Sequence, residues 1–187
     1  MPPPPFDAHG RLTRALQVPS PNHDERPAGA PVSLLVIHNI SLPPDEFGGS
    51  AVVDLFLNRL DYAAHPYYDR LRGLEVSSHF LLRREGELIQ FVPCDRRAWH
   101  AGASRWKGRE RCNDFSIGVE LEGSDRVAFT DAQYDGLVRL TREIQARYPI
   151  EDIAGHSDVS PGRKTDPGPF FDWPRYRSLI AGGDGAA

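Results

Sequence analysis

At 187 residues, with 40% hydrophobic and 26% charged residues, the chain is one globular domain's worth and long enough to close a real core. A net charge of -4 argues against a nucleic-acid partner, and no apolar run approaches the roughly 20 residues needed to cross a bilayer. Residues 1–7 hold a proline run and no basic stretch followed by an apolar one, so no secretory leader is expected and Cys94 and Cys112 read as reduced thiols in a cytoplasmic protein.

Residues 1–30 are rich in proline and polar side chains with no sustained period. They read as an extended arm over a domain spanning residues 31–180, with 181–187 a flexible tail. Residues 32–39 (Val-Ser-Leu-Leu-Val-Ile-His-Asn) form the first strong strand, apolar on both faces like a central strand covered on both sides. The period of two puts His38 at its end, on the face of Leu34 and Val36. A lone histidine there is by default a core residue satisfied by backbone; its position at a strand end, facing a loop, raises the reading as a ligand. Residues 41–75 form a long connection broken by prolines and paired glycines, with a short helix predicted over 51–60. A connection of that length is usually functional, here as a wall or lid, and His65, ahead of a proline, reads as a loop residue.

Residues 76–83 and 88–92 predict a hairpin turning at Glu85-Gly86-Glu87, with His79 packing or hydrogen-bonding inside it. In Ala98-Trp99-His100-Ala101-Gly102, Trp99 suits either a pocket wall or a half-buried tryptophan. Between Arg96 and Arg111 basic residues dominate, either as a solvated loop or as a grip for a carboxylate. Residues 115–121 alternate: Ile117, Val119 and Leu121 share one face, and Ser116, Gly118, Glu120 and Glu122 the other. Small residues beside an acidic one leave room for a ligand, and partial burial would raise the proton affinity of Glu120. Glu122, nearer the strand end, reads as solvated. Thr130-Asp131-Ala132-Gln133 fits a capping box for a helix with Leu137, Leu140, Ile144 and Tyr148 on one face, stopped by Pro149. Residues 150–154 are a short strand or turn delivering His156, and Asp172-Trp173-Pro174 opens a last helix running to about Ile180.

The segment from Gly155 to Pro169 concentrates His156, Asp158, Arg163, Lys164 and Asp166 among prolines and glycines, so a loop with no helix or strand is predicted there. Two neutral imidazoles and a carboxylate, His38, His156 and Asp166, make a usual catalytic zinc set with an open fourth position. Zinc lowers the pKa of water to about 7. Glu120 is then the natural proton acceptor, and Lys164 the cation for an oxyanion. The chemistry indicated is hydrolysis of an amide or ester. Asp158 reads as a turn residue bonding its own backbone, with Arg163 pointing away.

Four stretches, residues 33–44, 98–102, 108–123 and 155–169, resemble the zinc-dependent N-acetylmuramoyl-L-alanine amidases, a family similar to peptidoglycan recognition proteins. The likeness covers residues 15–180, and His-Asn-Ile-Ser-Leu-Pro-Pro and Asp-Pro-Gly-Pro carry most of its specificity. It implies an α/β (α+β) fold: a single domain with a central mixed, mainly β sheet flanked by helices. It implies a monomer that hydrolyses the lactyl amide between 1,6-anhydro-N-acetylmuramic acid and L-alanine of an anhydromuropeptide, with no nucleic acid or membrane partner. Zinc falls to His38, His156 and Asp166, catalysis to Glu120 and Lys164, and the substrate pocket to Asn39, Trp99, Arg111 and Leu121. One departure is Glu75, where relatives tend to be basic. The competing readings are a muropeptide-binding module without chemistry and a zinc deacetylase or esterase.

Overall fold

In the computed structural model, which describes residues 4–182, the arm supplies β1 (Leu16–Gln17) and β2 (His23–Asp24) ahead of β3 (Leu34–Ile40). The long connection holds α1 (Ala51–Phe56) and a 3-10 turn at Pro66–Leu71. Then come β4 (Phe80–Leu82), β5 (Leu88–Gln90), β6 (Arg97–Ala98), β7 (Arg105–Trp106), β8 (Arg109–Glu110) and β9 (Ser116–Glu122). The chain ends with α2 (Asp131–Arg147), β10 (Asp152–Gly155), α3 (His156–Val159) and α4 (Trp173–Ala181). A six-stranded mixed sheet runs in the order β1-β5-β4-β9-β3-β10, with β4 and β5 antiparallel and every other pair parallel. The fold class read from the sequence holds.

β3 and β9 lie side by side inside the sheet, flanked by β4 and β10, and both are covered on both faces. On one face Leu35, Ile37, Ile117, Val119 and Leu121 meet Leu137, Leu140 and Ile144 of α2. Each such side chain contributes about 1.5–3 kcal/mol through burial. The capping box forms as predicted: Thr130 Oγ1 accepts from the Gln133 N–H at 3.1 Å, and the Gln133 side chain accepts from the Thr130 N–H at 3.1 Å. α4 packs beside α2, its buried Tyr176 hydroxyl 2.6 Å from Thr141 Oγ1. The other face carries two separate apolar clusters. One gathers Leu81, Ile89 and Phe91 with Val52, Leu55 and Phe56 of α1; the other gathers Leu34, Val36, Phe115, Ala154 and Val159. The gap between them is polar, and the site lies there.

Several elements differ from expectation. The helix predicted over 51–60 stops at Phe56, and Asn58 takes a left-handed φ of 57° just beyond. The hairpin strands are shorter than 76–83 and 88–92, since the backbone of Ser77 leaves the sheet to bond the Trp99 carbonyl at 3.1 Å. A helical turn, α3, does run through the segment expected to hold none: the Asp158 carboxylate accepts the Gly155 N–H at 2.7 Å and stabilises its first turn. The tail beyond Gly182 and the tip of the arm, residues 1–3, lie outside the described residues.

The arm does more than lie over the domain. β1 extends the sheet, β2 pairs antiparallel with β6, and between the arm and the sheet Arg26 is half-buried. Its guanidinium donates to the carbonyls of Cys94 at 3.0 Å, Asn113 at 3.1 Å and Ser116 at 2.8 Å. Both cysteines are buried and free, as expected. Among the described residues no helix is long and apolar enough to cross a membrane. Replacing Arg26 by leucine should strip several carbonyls of a charged donor and lower unfolding stability by about 2–4 kcal/mol in urea titrations. A change under about 0.5 kcal/mol would show that the arm is only laid on the surface.

Candidate metal centre and groove

Register assembles the site. Gly155 of β10 pairs with Ile37 of β3, so the next residues, His156 and His38, come level. His38 in turn pairs with Glu120 of β9. Three adjacent parallel strands thus deliver two imidazoles and a carboxylate in one row on one face of the sheet. Asp166 returns from the following loop, which is pinned by the Ser157 N–H donating to the Asp166 carbonyl at 2.9 Å and by Asn39 Nδ2 donating to the Pro167 carbonyl at 3.0 Å.

His38 Nδ1, His156 Nδ1 and Asp166 Oδ2 form a triangle with all three edges 3.0 Å. Ligands about 2.0–2.1 Å from a tetrahedral metal stand about 3.3 Å apart, so the donor set fits such an ion closely. Burial pushes His38 down to about 4, so its imidazole is neutral and able to ligate. Burial also opposes charge on Asp166, but hydrogen bonds with His156 and His38 outweigh it and hold this carboxyl well below its usual range. Glu120 Oε1 stands 3.9 Å from His38 Nδ1, while its buried Oε2 has no hydrogen-bond partner among the described residues. Burial, reinforced by the nearby Asp166 charge and only partly offset by Lys164, raises the Glu120 pKa well above that of an ordinary glutamate.

These groups floor a groove of about 500 Å³, within the usual range for a small-molecule site. Asn39, Trp99 and Lys164 line it. Trp99 is both things it was read as: a groove wall and a half-buried ring, its indole N–H donating to Asp24 at 3.3 Å. Residues of the 41–75 connection, including Leu42, Leu55, Tyr67 and Leu74, build one wall. Glu75 is exposed and takes no part in the lining.

Other expectations are corrected. Leu121 does not line the groove: the period of two turns it with Ile117 and Val119 into the core under α2, away from Glu120. Arg111 is exposed and lines a neighbouring depression with Arg105 and Ser160, which meets the groove at Arg163. The basic stretch is largely occupied internally, Arg97 pairing with Asp24 at 2.5 Å and Asp114 at 2.6 Å and Lys107 with Asp152 at 2.7 Å. Glu122 is buried, not solvated, because it accepts the N–H groups of Gly48 at 2.6 Å and Arg84 at 3.2 Å. Arg163 does not point away; it donates to the carbonyls of Ala101 at 2.8 Å and Ala103 at 2.9 Å. The room predicted over Gly118 is filled by the ring of His100, a residue to which the sequence reading gave no role. Its placement among small residues was the available signal.

A family model for N-acetylmuramoyl-L-alanine amidases matches residues 28–169. The chain is 56% identical over 174 residues to the 1,6-anhydro-N-acetylmuramyl-L-alanine amidase AmpD of Salmonella typhimurium, covering 92% of this chain and 93% of that one. It superposes on the crystal structure of a selenomethionine AmpD derivative with a TM-score of 0.91 at 55% identity, covering 94% of this chain and 98% of that one. The amidase AmiD from E. coli, solved with anhydro-N-acetylmuramic acid-L-Ala-D-γ-Glu-L-Lys, superposes with a TM-score of 0.59 at 30% identity, over 84% of this chain and 65% of that one.

The raised pKa of Glu120 has a consequence for stability. Ionising this carboxyl costs more in the folded chain than in the unfolded one, so its favourable contribution is present at low pH and is lost as pH rises through the folded value. In metal-stripped protein, Glu120→Gln should therefore melt at a higher temperature than the parent at pH 8, with the gap closing toward pH 4. A gap that does not change with pH would contradict it.

Proposed function

The chain belongs to the N-acetylmuramoyl-L-alanine amidase family, and on that premise we propose that it is a zinc-dependent hydrolase of the lactyl amide joining 1,6-anhydro-N-acetylmuramic acid to L-alanine of the stem peptide, acting in peptidoglycan recycling in the cytoplasm. The observation that carries this reading is the triangle of His38, His156 and Asp166 with a buried glutamate beside it whose Oε2 has no hydrogen-bond partner among the described residues. A recognition module without chemistry would be free to lose one of these groups, and all are present.

His38, His156 and Asp166 would hold the zinc, which when bound supplies Lewis acidity toward the scissile carbonyl and acidifies water. Glu120 takes a proton from the attacking water as its oxygen bonds to the carbonyl carbon. The same carboxyl then hands that proton to the departing nitrogen of L-alanine as the C–N bond breaks. The products are the free lactyl carboxylate of the anhydro-sugar and a peptide with a free amino group. Depressed proton affinity would make Glu120 a poor carrier; burial keeps it basic enough to pick the proton up and deliver it. The Lys164 ammonium, with no ion-pair partner among the described residues, faces the charge that develops on the carbonyl oxygen. Asn39 and Trp99 are assigned to holding the sugar and the first peptide unit, and Arg111, reached past Arg163, to acidic groups further along the peptide.

Incubation of metal-replete protein with an anhydromuropeptide should release anhydro-sugar and free peptide by mass spectrometry, and intact substrate after prolonged incubation would refute the assignment. Asp166→Ala should lose both zinc and turnover. Glu120→Gln should keep zinc while kcat falls by about 10²–10⁴, and Lys164→Met should cost about 10²–10³ in kcat.

A further inference from the structure

His38 meets the metal triangle through one ring nitrogen, and the other is not left to solvent. Its Nε2 lies 3.0 Å from Nδ1 of His100, whose own Nε2 lies 3.1 Å from Ser116 Oγ on β9. The two rings are perpendicular, with centroids 5.1 Å apart. Gly118 makes this possible, because a Cβ there would sit 2.6 Å from Cγ and Nδ1 of the His100 ring. The backbone of the same dipeptide is clamped by Asn113, whose Oδ1 accepts the N–H groups of His100 at 3.2 Å and Ala101 at 2.8 Å. The Ala101 carbonyl in turn accepts from Nε2 of the second ligand, His156, at 3.1 Å. One dipeptide thus touches the far side of both histidine ligands.

The two contacts are not equivalent. A carbonyl can only accept, so it holds the His156 proton on Nε2 by itself. A neutral imidazole can accept or donate, so the partner of His38 must itself be oriented. We propose that His100 is the positioning residue that fixes His38 as a ligand, with Ser116 as the acceptor that orients His100. With His38 Nδ1 turned to the metal, its proton stands on Nε2 and is donated to His100 Nδ1. The His100 proton then stands on Nε2 and is donated to Ser116 Oγ. Reversing the chain would place a proton on His38 Nδ1, inside the ligand triangle. Partners of this kind hold ligand rings in orientation and raise their basicity toward the metal.

The inference rests on the metal assignment made above, so the experiment measures zinc affinity of the folded protein by chelator competition, parent beside variants. His100→Leu fills the space but accepts nothing, and zinc should bind about 10–100-fold more weakly. His100→Asn keeps an acceptor near the position of Nδ1 and should recover most of that loss. A merely structural role predicts the opposite order, since leucine suits a buried site better than asparagine. Long-range proton–nitrogen correlation on the zinc-loaded parent should find the protons of His38 and His100 on Nε2. If the leucine variant does not fold, Ser116→Ala takes its place and should also weaken zinc binding. Unchanged affinity in the leucine or alanine protein, an asparagine variant as weak as the leucine one, or a His100 proton on Nδ1 overturns the proposal. A parent protein that binds no zinc overturns instead the metal assignment beneath it.

Discussion

The parallel register of β10, β3 and β9 is the constraint on which everything else rests. It brings His156, His38 and Glu120 level although the chain separates His38 from His156 by 118 positions. No disulfide or other covalent tie holds that row; it exists because apolar residues on the opposite face, Leu35, Ile37, Ile117 and Val119, are locked under α2. A slip of one residue in either pairing would turn a site residue into the core and a core residue into the groove. Packing on one face of the sheet therefore sets the chemistry on the other.

The polar interior needed for the site is expensive, and the fold meets the cost with complete hydrogen bonding nearly everywhere. His79 accepts the Gly118 N–H at 3.0 Å through Nδ1 and reaches the Arg96 carbonyl at 3.0 Å through Nε2. Arg26 ties three carbonyls from two separate stretches of chain. Of the few buried side-chain atoms without a partner among the described residues, Oε2 of Glu120 is the one that stands beside His38, His156 and Asp166. Buried polar atoms without partners are costly, and they persist in native structures mainly where function uses them.

Much of this was legible in the sequence, for identifiable reasons. The alternation in β9 and the apolar run of β3 gave the facing of Glu120 and His38 directly, because a period of two admits only one solution. The capping box at Thr130 located the start of α2 from local chemistry alone. What escaped were partners distant in the chain. Glu122 looked solvated because its acceptor role depends on Gly48, and Arg163 looked outward because the Ala101 carbonyl it seeks is 62 positions away. His100 stayed anonymous for the same reason: its meaning lies in Gly118 and Ser116, which only sheet formation brings beneath it. Leu121 went the other way, since a resemblance placed it in the pocket while its own periodicity placed it in the core.

The buried carboxylate of Glu122 links matters that look separate. It grips Gly48 in the connection that walls the groove, and it stands two positions along β9 from Glu120 on the same face. Gly48 of that connection and Glu120 are therefore both tied to one strand. A change that moves Gly48 must move β9, and Glu120 with it, or break the grip. Reshaping the groove for a bulkier ligand is better attempted at its far rim, where Leu74 is 45% exposed and remote from β9 in the chain.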